Sequence, residues 1–273
     1  MMPRLRTFVL FAALMLLACI ASSKTEPLPK VPVSVALMAD VQYRTGIGTY
    51  RDYPAALANF RTILNELRGS EAVLTIELGD LVEDSSPEQE NLDYTMLDNE
   101  LRSLPMPVRH VPGNNDIAAI RRLQEQRGFG GSNLYYSFAP KEIPGWLFVV
   151  LNTSEASDVK MGNAQLFWLD QTLEQAGSRK QKVMIFAHAP PRCLVESTQI
   201  NAMLAKHRKV IIGWLAGHTH AGEFHQVEGV PEVELSAVLE NPERPTYAIL
   251  KIYPDHWEIE GHGAQKSYRF PLN

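Results

Sequence analysis

Five short apolar runs in this 273-residue chain each stop at side chains that carry lone pairs, and no other feature constrains the fold as much. Val33 to Met38 runs into Asp40 and Gln42, and Ala72 to Leu78 into Gly79-Asp80. Pro107 to Val111 runs into Gly113-Asn114-Asn115-Asp116, Lys182 to Ala187 into His188, and Val210 to Leu215 into Gly217-His218-Thr219-His220. Short apolar runs bounded by turn residues have the pattern of strands buried on both faces. Helical spacing separates them. Leu57, Phe60, Leu64 and Leu67 predict a helix over Pro54 to Arg68, with proline in its first turn; Leu92, Met96, Leu97, Leu101 and Leu104 predict one over Glu88 to Leu104. Ile117 to Gln126, Asn163 to Gln175 and Gln199 to Lys206 read as further helices. Strand–helix alternation predicts parallel strands with crossover helices, and binding groups on such sheets gather at the strands' C-terminal edge.

The remainder is richer in strand patterns. Leu134 to Phe138 and Trp146 to Leu151 read as paired strands, and Val230 to Ser236, Tyr247 to Tyr253 and His256 to Ile259 are expected to complete a second sheet. The expected class is α/β, with four layers (helices, sheet, sheet, helices) around a two-sheet core.

The first residues stand apart. Arg4 and Arg6 precede an apolar run from Phe8 to Ile20, a charged head and a hydrophobic segment too short for a lasting span. Residues 1–20 are therefore expected to be an export signal, 21–32 a polar, Pro-containing linker, and 33–273 one domain. Leu16-Leu17-Ala18-Cys19 resembles a bacterial lipobox, so lipidation of Cys19 would hold the protein to a membrane in the periplasm or cell envelope; ordinary cleavage near Ala21 would release a secreted protein. Only Cys19 and Cys193 are present, so a lipidated Cys19 leaves no internal disulfide. The formal charge is −5 and becomes more negative when Arg4 and Arg6 leave with the signal. An acidic chain without a basic run is a poor partner for nucleic acid, and any phosphate it handles must meet cations from elsewhere.

Asp40, Gln42, Asp80, Asn114, His188, His218 and His220 are the oxygen and nitrogen donors expected on the common edge. Each alone has an ordinary explanation: an aspartate can cap a helix, and an asparagine after glycine can take a left-handed turn. Together they suit a pair of divalent cations roughly 3.5–4 Å apart, which needs a shared carboxylate against mutual repulsion and a mixed O/N shell. Water activated there attacks phosphorus while the cations neutralise the equatorial oxygens.

The ordered set Ala39-Asp40-Val41-Gln42, Gly79-Asp80-Leu81-Val82-Glu83, Gly113-Asn114-Asn115-Asp116, His188 and Gly217-His218-Thr219-His220 resembles the calcineurin-like metallophosphoesterases. The resemblance implies a metallophosphoesterase sandwich and a bimetal centre bridged by Asp80. One ion would take Asp40, Gln42 and His220, and the other Asn114, His188 and His218. Most of the family has histidine where this chain has Gln42. Glutamine there is similar to the branch of manganese-dependent ADP-ribose/CDP-alcohol diphosphatases, and a neutral amide favours manganese or magnesium over zinc; iron is a further alternative.

The family's Gly-Asn-His-Asp/Glu reads Gly113-Asn114-Asn115-Asp116 here. The missing histidine normally serves the leaving oxygen; Asn115, with Asp116 beside it, takes its place as the candidate catalytic pair. Asn115 can donate a hydrogen bond but not a proton. General-acid help is worth 10²–10⁴-fold, so its loss falls hardest on poor leaving groups. The expectation is a metal-dependent phosphohydrolase acting on a small phosphate-containing substrate, a phosphoanhydride or phosphodiester before an alkyl monoester. A weakened or inactive binding protein on the same fold is the alternative. His110 and His225 are the candidates for a substitute acid, and Arg44, Arg51 and Tyr53 for contacts to phosphate or base.

Overall fold

A computed structural model describes residues 32–46, 51–127, 134–155, 159–240 and 243–272. The proposed signal, Cys19 and most of the linker lie outside the described residues. Among those described, no helix is long and apolar enough to cross a membrane.

The chain runs β1 (Val33–Met38), α1 (Tyr53–Arg68), β2 (Ala72–Glu77), α2 (Pro87–Arg102), β3 (Val108–His110), α3 (Ile117–Arg127), β4 (Tyr136–Phe138), β5 (Trp146–Val150), α4 (Asn163–Ser178) and β6 (Lys182–Phe186). It continues through α5 (Ser197–His207), β7 (Ile211–Ala216), β8 (Phe224–Val227), β9 (Val230–Glu234), β10 (Tyr247–Ile252), β11 (His256–His262) and β12 (Tyr268–Pro271). The first two helices start as their sequences dictate. Asp52 accepts a hydrogen bond from the Ala55 amide and Ser86 one from the Gln89 amide, with a proline following each cap.

Two six-stranded sheets form, ordered β12-β11-β10-β1-β2-β3 and β4-β5-β6-β7-β9-β8. β1, β2 and β3 are parallel, as are β5, β6, β7 and β9, so every donor-bearing strand is in a parallel set. Between the sheets lie Val35, Leu37, Ile76, Phe148, Val150, Met184, Phe186, Leu215 and Trp257. The other face of the first sheet is covered by Phe60, Ile63 and Leu64 of α1 and Tyr94, Leu97 and Leu101 of α2. That of the second is covered by Leu169 and Leu173 of α4 and Ile200 and Leu204 of α5. Both faces of the central strands are buried, which is why they read as unbroken apolar runs. The four-layer α/β/β/α arrangement is the expected one.

Three details depart from the sequence expectation. β10 and β11 complete the first sheet, because β10 pairs antiparallel with β1; of the three late strands only β9 joins the second. Two further strands, β8 and β12, appear at opposite sheet edges. Leu92, expected in the apolar stripe of α2, is exposed, and the buried face of that helix instead includes Glu90, Asp93 and Asp98.

Candidate metal centre

The loops after β1, β2, β3, β6 and β7 meet at one edge of the double sheet. Close backbone ladders continue past the strands: the Asp40 amide donates to the Gly79 carbonyl (3.0 Å), the Gln42 amide to Asp80 (2.9 Å) and the Gly217 amide to His188 (2.9 Å). Glycine is required at three of these crossings. A Cβ on Gly79 would stand 2.7 Å from His188 Nδ1, one on Gly113 2.1 Å from the Asp80 nitrogen, and one on Gly217 2.5 Å from Asp40 Oδ2. Asp40, Gln42, Asp80, His218 and His220 all have left-handed φ, between 43° and 71°. Side chains in that conformation leave the strand direction and turn across its end.

Those turns bring all seven expected donors into one constellation. Asp80 Oδ2 lies 3.2 Å from Gln42 Nε2 and 3.3 Å from His188 Nε2. His188 Nε2 is also 3.2 Å from Asn114 Oδ1 and 3.3 Å from His218 Nδ1. His220 Nε2 is 3.4 Å from Asp40 Oδ1, and the Asp40 carboxylate accepts the His218 amide at 3.0 Å. Ligand atoms of Asp80, His188 and His218 all lie within 4.8 Å of one another.

The donor set fits cations. His188 Nδ1 donates to the Leu78 carbonyl at 2.9 Å, which directs Nε2 inward, the orientation a ligating imidazole needs. Gln42 Oε1 is buried without a hydrogen-bond partner, an acceptor that water cannot reach. The crowd of lone pairs calls for positive charge: burial opposes a charged His188, yet the Asp80 charge and hydrogen bond, with Asp40 behind them, push it up to about 10. Burial works against the Asp80 anion too, but His188 holds its carboxyl below the usual range. His218 is pushed down by burial and by the neighbouring His188 charge. His220 goes up despite burial, through Asp40 and Glu240.

Asn115 sits at this edge, its amide donating to Asp80 Oδ1 (2.9 Å) and its side-chain oxygen accepting from Asn114 Nδ2 (2.8 Å). Asp116, the other half of the expected catalytic pair, lies inside the fold. Its carboxyl is fully buried, accepts the Val82 amide at 3.0 Å, and is raised well above the usual range by burial and then by the charges of Glu77 and Asp80. It pins the backbone that follows Asp80.

His110 and His225 do not enter the constellation. His110 is held between Glu77 (3.2 Å) and Asp98 (3.1 Å). His225 lies on β8 beside Glu223 and Glu234, and Glu232 and Glu234 both pair with Arg192. Nor are Arg51 and Tyr53 free to meet a phosphate: Arg51 pairs with Glu83, and Tyr53 is buried in the first turn of α1 against Leu239. Arg44 donates to the Asp84 carbonyl (3.2 Å) and remains exposed.

Two acids at the site lie outside the set of donors expected from the sequence. Glu240 meets His220 Nδ1 at 3.1 Å from a loop with no local pattern to mark it. Glu77, a buried acid closing the apolar run of β2, was a visible anomaly in that run.

No family model matches the chain. Among curated proteins, it is 22% identical to the manganese-dependent ADP-ribose/CDP-alcohol diphosphatase of Mus musculus, over 88% of this chain and 92% of that one. It is 24% identical to the Arabidopsis thaliana protein of the same name, over 87% and 96%. Among solved structures, a dimetal phosphatase from Danio rerio superposes with a TM-score of 0.75 at 21% identity, covering 91% of this chain and all of that one. A purple acid phosphatase from yellow lupin gives 0.63 at 13% identity, over 90% of this chain and 54% of its own.

Proposed function

We infer from these likenesses that the chain is a calcineurin-like metallophosphoesterase, a hydrolase of phosphoric ester or phosphoanhydride bonds that works with two divalent metal ions, manganese foremost. The observation that carries the reading is the position of Asp80: its Oδ2 lies between the two expected ligand sets, 3.2 Å from Gln42 of one and 3.3 Å from His188 Nε2 of the other, where a carboxylate shared by two ions would stand. Asp40, Gln42 and His220 would hold one ion, and Asn114, His188 and His218 the other. When bound, the metal pair supplies an activated water and charge neutralisation at the phosphoryl oxygens.

The chain's own residues decide which bonds break quickly. Asn115 is anchored by its backbone to Asp80 and by its side chain to Asn114, at the edge where the reaction would take place, and it has no proton to give. His110 and His225, held by carboxylates elsewhere, do not replace the missing acid. The substrate must therefore carry a leaving group that departs without protonation, and a diphosphate linkage does so better than an alkyl ester. We propose a small molecule with a phosphoanhydride bond, in keeping with the diphosphatase relatives, and a slower general phosphodiesterase activity. Gln42 in place of an imidazole favours manganese or magnesium at its ion. Export, with Cys19 as a lipid anchor in the cell envelope, belongs to the same proposal. It rests on residues 1–20 alone, and the mass of the mature N-terminus tests it.

Purified protein beginning at Lys24 should hydrolyse ADP-ribose and bis-p-nitrophenyl phosphate when manganese is added, and Asp80→Asn should abolish both. Full turnover in Asp80→Asn would falsify the assignment. Asn115 favours one second reading, a fold-sharing binding protein that takes up metal without turnover. Restoring the imidazole with Asn115→His separates the two, since a large gain marks a weakened enzyme.

A further inference from the structure

Behind the metal edge runs a buried chain of charges that the reaction itself does not use. It starts at the surface of α2, where Arg102 Nε donates to both oxygens of Asp98 (2.9 Å each). Asp98 is fully buried and lies 3.1 Å from His110 Nε2. His110 closes β3 directly opposite Glu77 of β2 in the parallel register, and its Nδ1 donates to Glu77 Oε2 at 3.2 Å. The other Glu77 oxygen, Oε1, accepts the Gly79 amide at 2.6 Å.

That last bond is the informative one. The peptide unit joining Leu78 to Gly79 is held at both ends: its N–H by Glu77, and its carbonyl by His188 Nδ1 at 2.9 Å. It cannot rotate without breaking one of the two. Gly79 has φ +97° and no space for a Cβ, so the unit is also fenced by His188 and the Gly113 backbone. A carboxylate bonded to the N–H polarises the peptide and makes its carbonyl a stronger acceptor for the imidazole N–H, because hydrogen bonds in series reinforce one another at low dielectric. A better acceptor behind a ligating histidine fixes its tautomer and raises the basicity of the nitrogen that faces the metal.

We propose that Glu77 and His110 are positioning residues for the metal centre, acting through the Leu78–Gly79 peptide on the orientation and donor strength of His188 and on the turn that presents Asp80. Two carboxylates then grip the bridging residue's loop from either side, Glu77 at the Gly79 amide before it and Asp116 at the Val82 amide after it. Burial raises the Glu77 carboxyl above its usual range and the His110 hydrogen bond and charge work against that rise, with Asp98 and Arg102 on the far side of the imidazole. The inference rests on the metal-centre reading but not on any substrate.

Manganese affinity measured without substrate, by chelator competition, tests it. Glu77→Leu should weaken binding about 10–100-fold, the range for residues that orient a ligand. Glu77→Gln keeps an acceptor for the Gly79 amide and should recover most of that loss. The His188 ring nitrogen shifts, read in ¹⁵N-labelled magnesium-loaded protein, should show a mixed tautomer in Glu77→Leu and one tautomer in wild type. A folded Glu77→Leu with wild-type manganese affinity and an unchanged tautomer would overturn the proposal. If Glu77→Leu does not fold, His110→Gln carries the same measurements one link further out. A severalfold loss of affinity there supports the relay, and none overturns it. Failure to hydrolyse any phosphate compound would overturn the enzymatic reading and leave this measurement standing.

Discussion

Replacing Gly113 by alanine tests the construction of the metal edge with a single methyl group. Gly113 does not have a positive φ, so alanine incurs no backbone strain there and the effect is purely one of space. The new Cβ would lie 2.1 Å from the Asp80 nitrogen, 2.2 Å from Asp80 Oδ1 and 2.9 Å from Asp80 Cα. Ordinary van der Waals contact begins about 1 Å or more beyond the first two of these distances, and both belong to backbone or to the donor carboxylate itself. The loop after β2 or the loop after β3 must therefore shift by about 1 Å. Overpacking of this size destabilises a protein by roughly 1–3 kcal/mol, a fall of several degrees in melting temperature for a domain this large. A misplacement of about 1 Å at a reacting centre costs on the order of 10²-fold in turnover.

The assay is manganese-dependent hydrolysis of bis-p-nitrophenyl phosphate, with bound manganese and the melting curve measured on the same sample. Gly69→Ala, whose Cβ would sit 3.7 Å from its nearest neighbour, is the matched control and should behave as wild type. Gly217→Ala presses on Asp40 Oδ2 in place of Asp80 and should impair the other ion. A folded Gly113→Ala with two bound manganese ions and unreduced turnover would refute the claim that this glycine exists to let Asp80 approach.

Other outcomes follow from the same geometry. Asn115→His should raise turnover 10²–10⁴-fold on alkyl monoesters and far less on ADP-ribose; equal gains on both would remove the leaving-group argument. Gln42→His should move the metal preference toward zinc, visible as zinc-supported activity that wild type lacks. Manganese at about 100 times its dissociation constant should stabilise the fold by roughly 2.7 kcal/mol, and an unmoved melting curve would count against a site. Burial opposes the charged form of His110, but Asp98 and Glu77 raise it from 6.5 to about 9. A raised histidine contributes stability that is complete below pH 6.5 and disappears as pH climbs through about 9, up to about 3 kcal/mol in all. Urea unfolding at the two ends of that window should show the fall in wild type and a smaller one in His110→Gln. An equal fall in both would locate the titration elsewhere.

The parts of the molecule legible in the sequence are those written locally. Strands buried on both faces spell themselves as apolar runs, and the donors sit within a few residues of each run's end, so Asp40, Asp80, His188 and His218 announced both the fold and the edge. What stayed hidden depends on distant pairing. Phe224-His225-Gln226-Val227 alternates exposed and half-buried positions at a sheet edge and makes no apolar run, so β8 was missed. β10 reads as a strand, but nothing in its residues says that its neighbour is β1. Asp116 followed the family motif into a catalytic role because a motif gives adjacency and not burial. Residue type alone points Tyr53 and Arg51 toward a substrate, whereas partners from elsewhere in the chain, Leu239 and Glu83, engage them.

The pairing of β1 with β10 has a consequence for how the molecule comes into being. Val33, among the first residues of the domain, lies opposite Ile252, close to its end, and the Val238 and Leu239 amides close over the carbonyls of Ala39 and Asp40. Sequence-distant pairs of this kind form slowly, since nearly the whole polymer must be looped before they reward the closure. A nascent chain emerging from the ribosome therefore carries β1 with an open side until its last strands are made, and the loop bearing Asp40 stays without its cover. Synthesis from the N-terminus supplies Asp40 and Asp80 early, but the place where the ligands meet is complete only after β10 has been released to pair with β1.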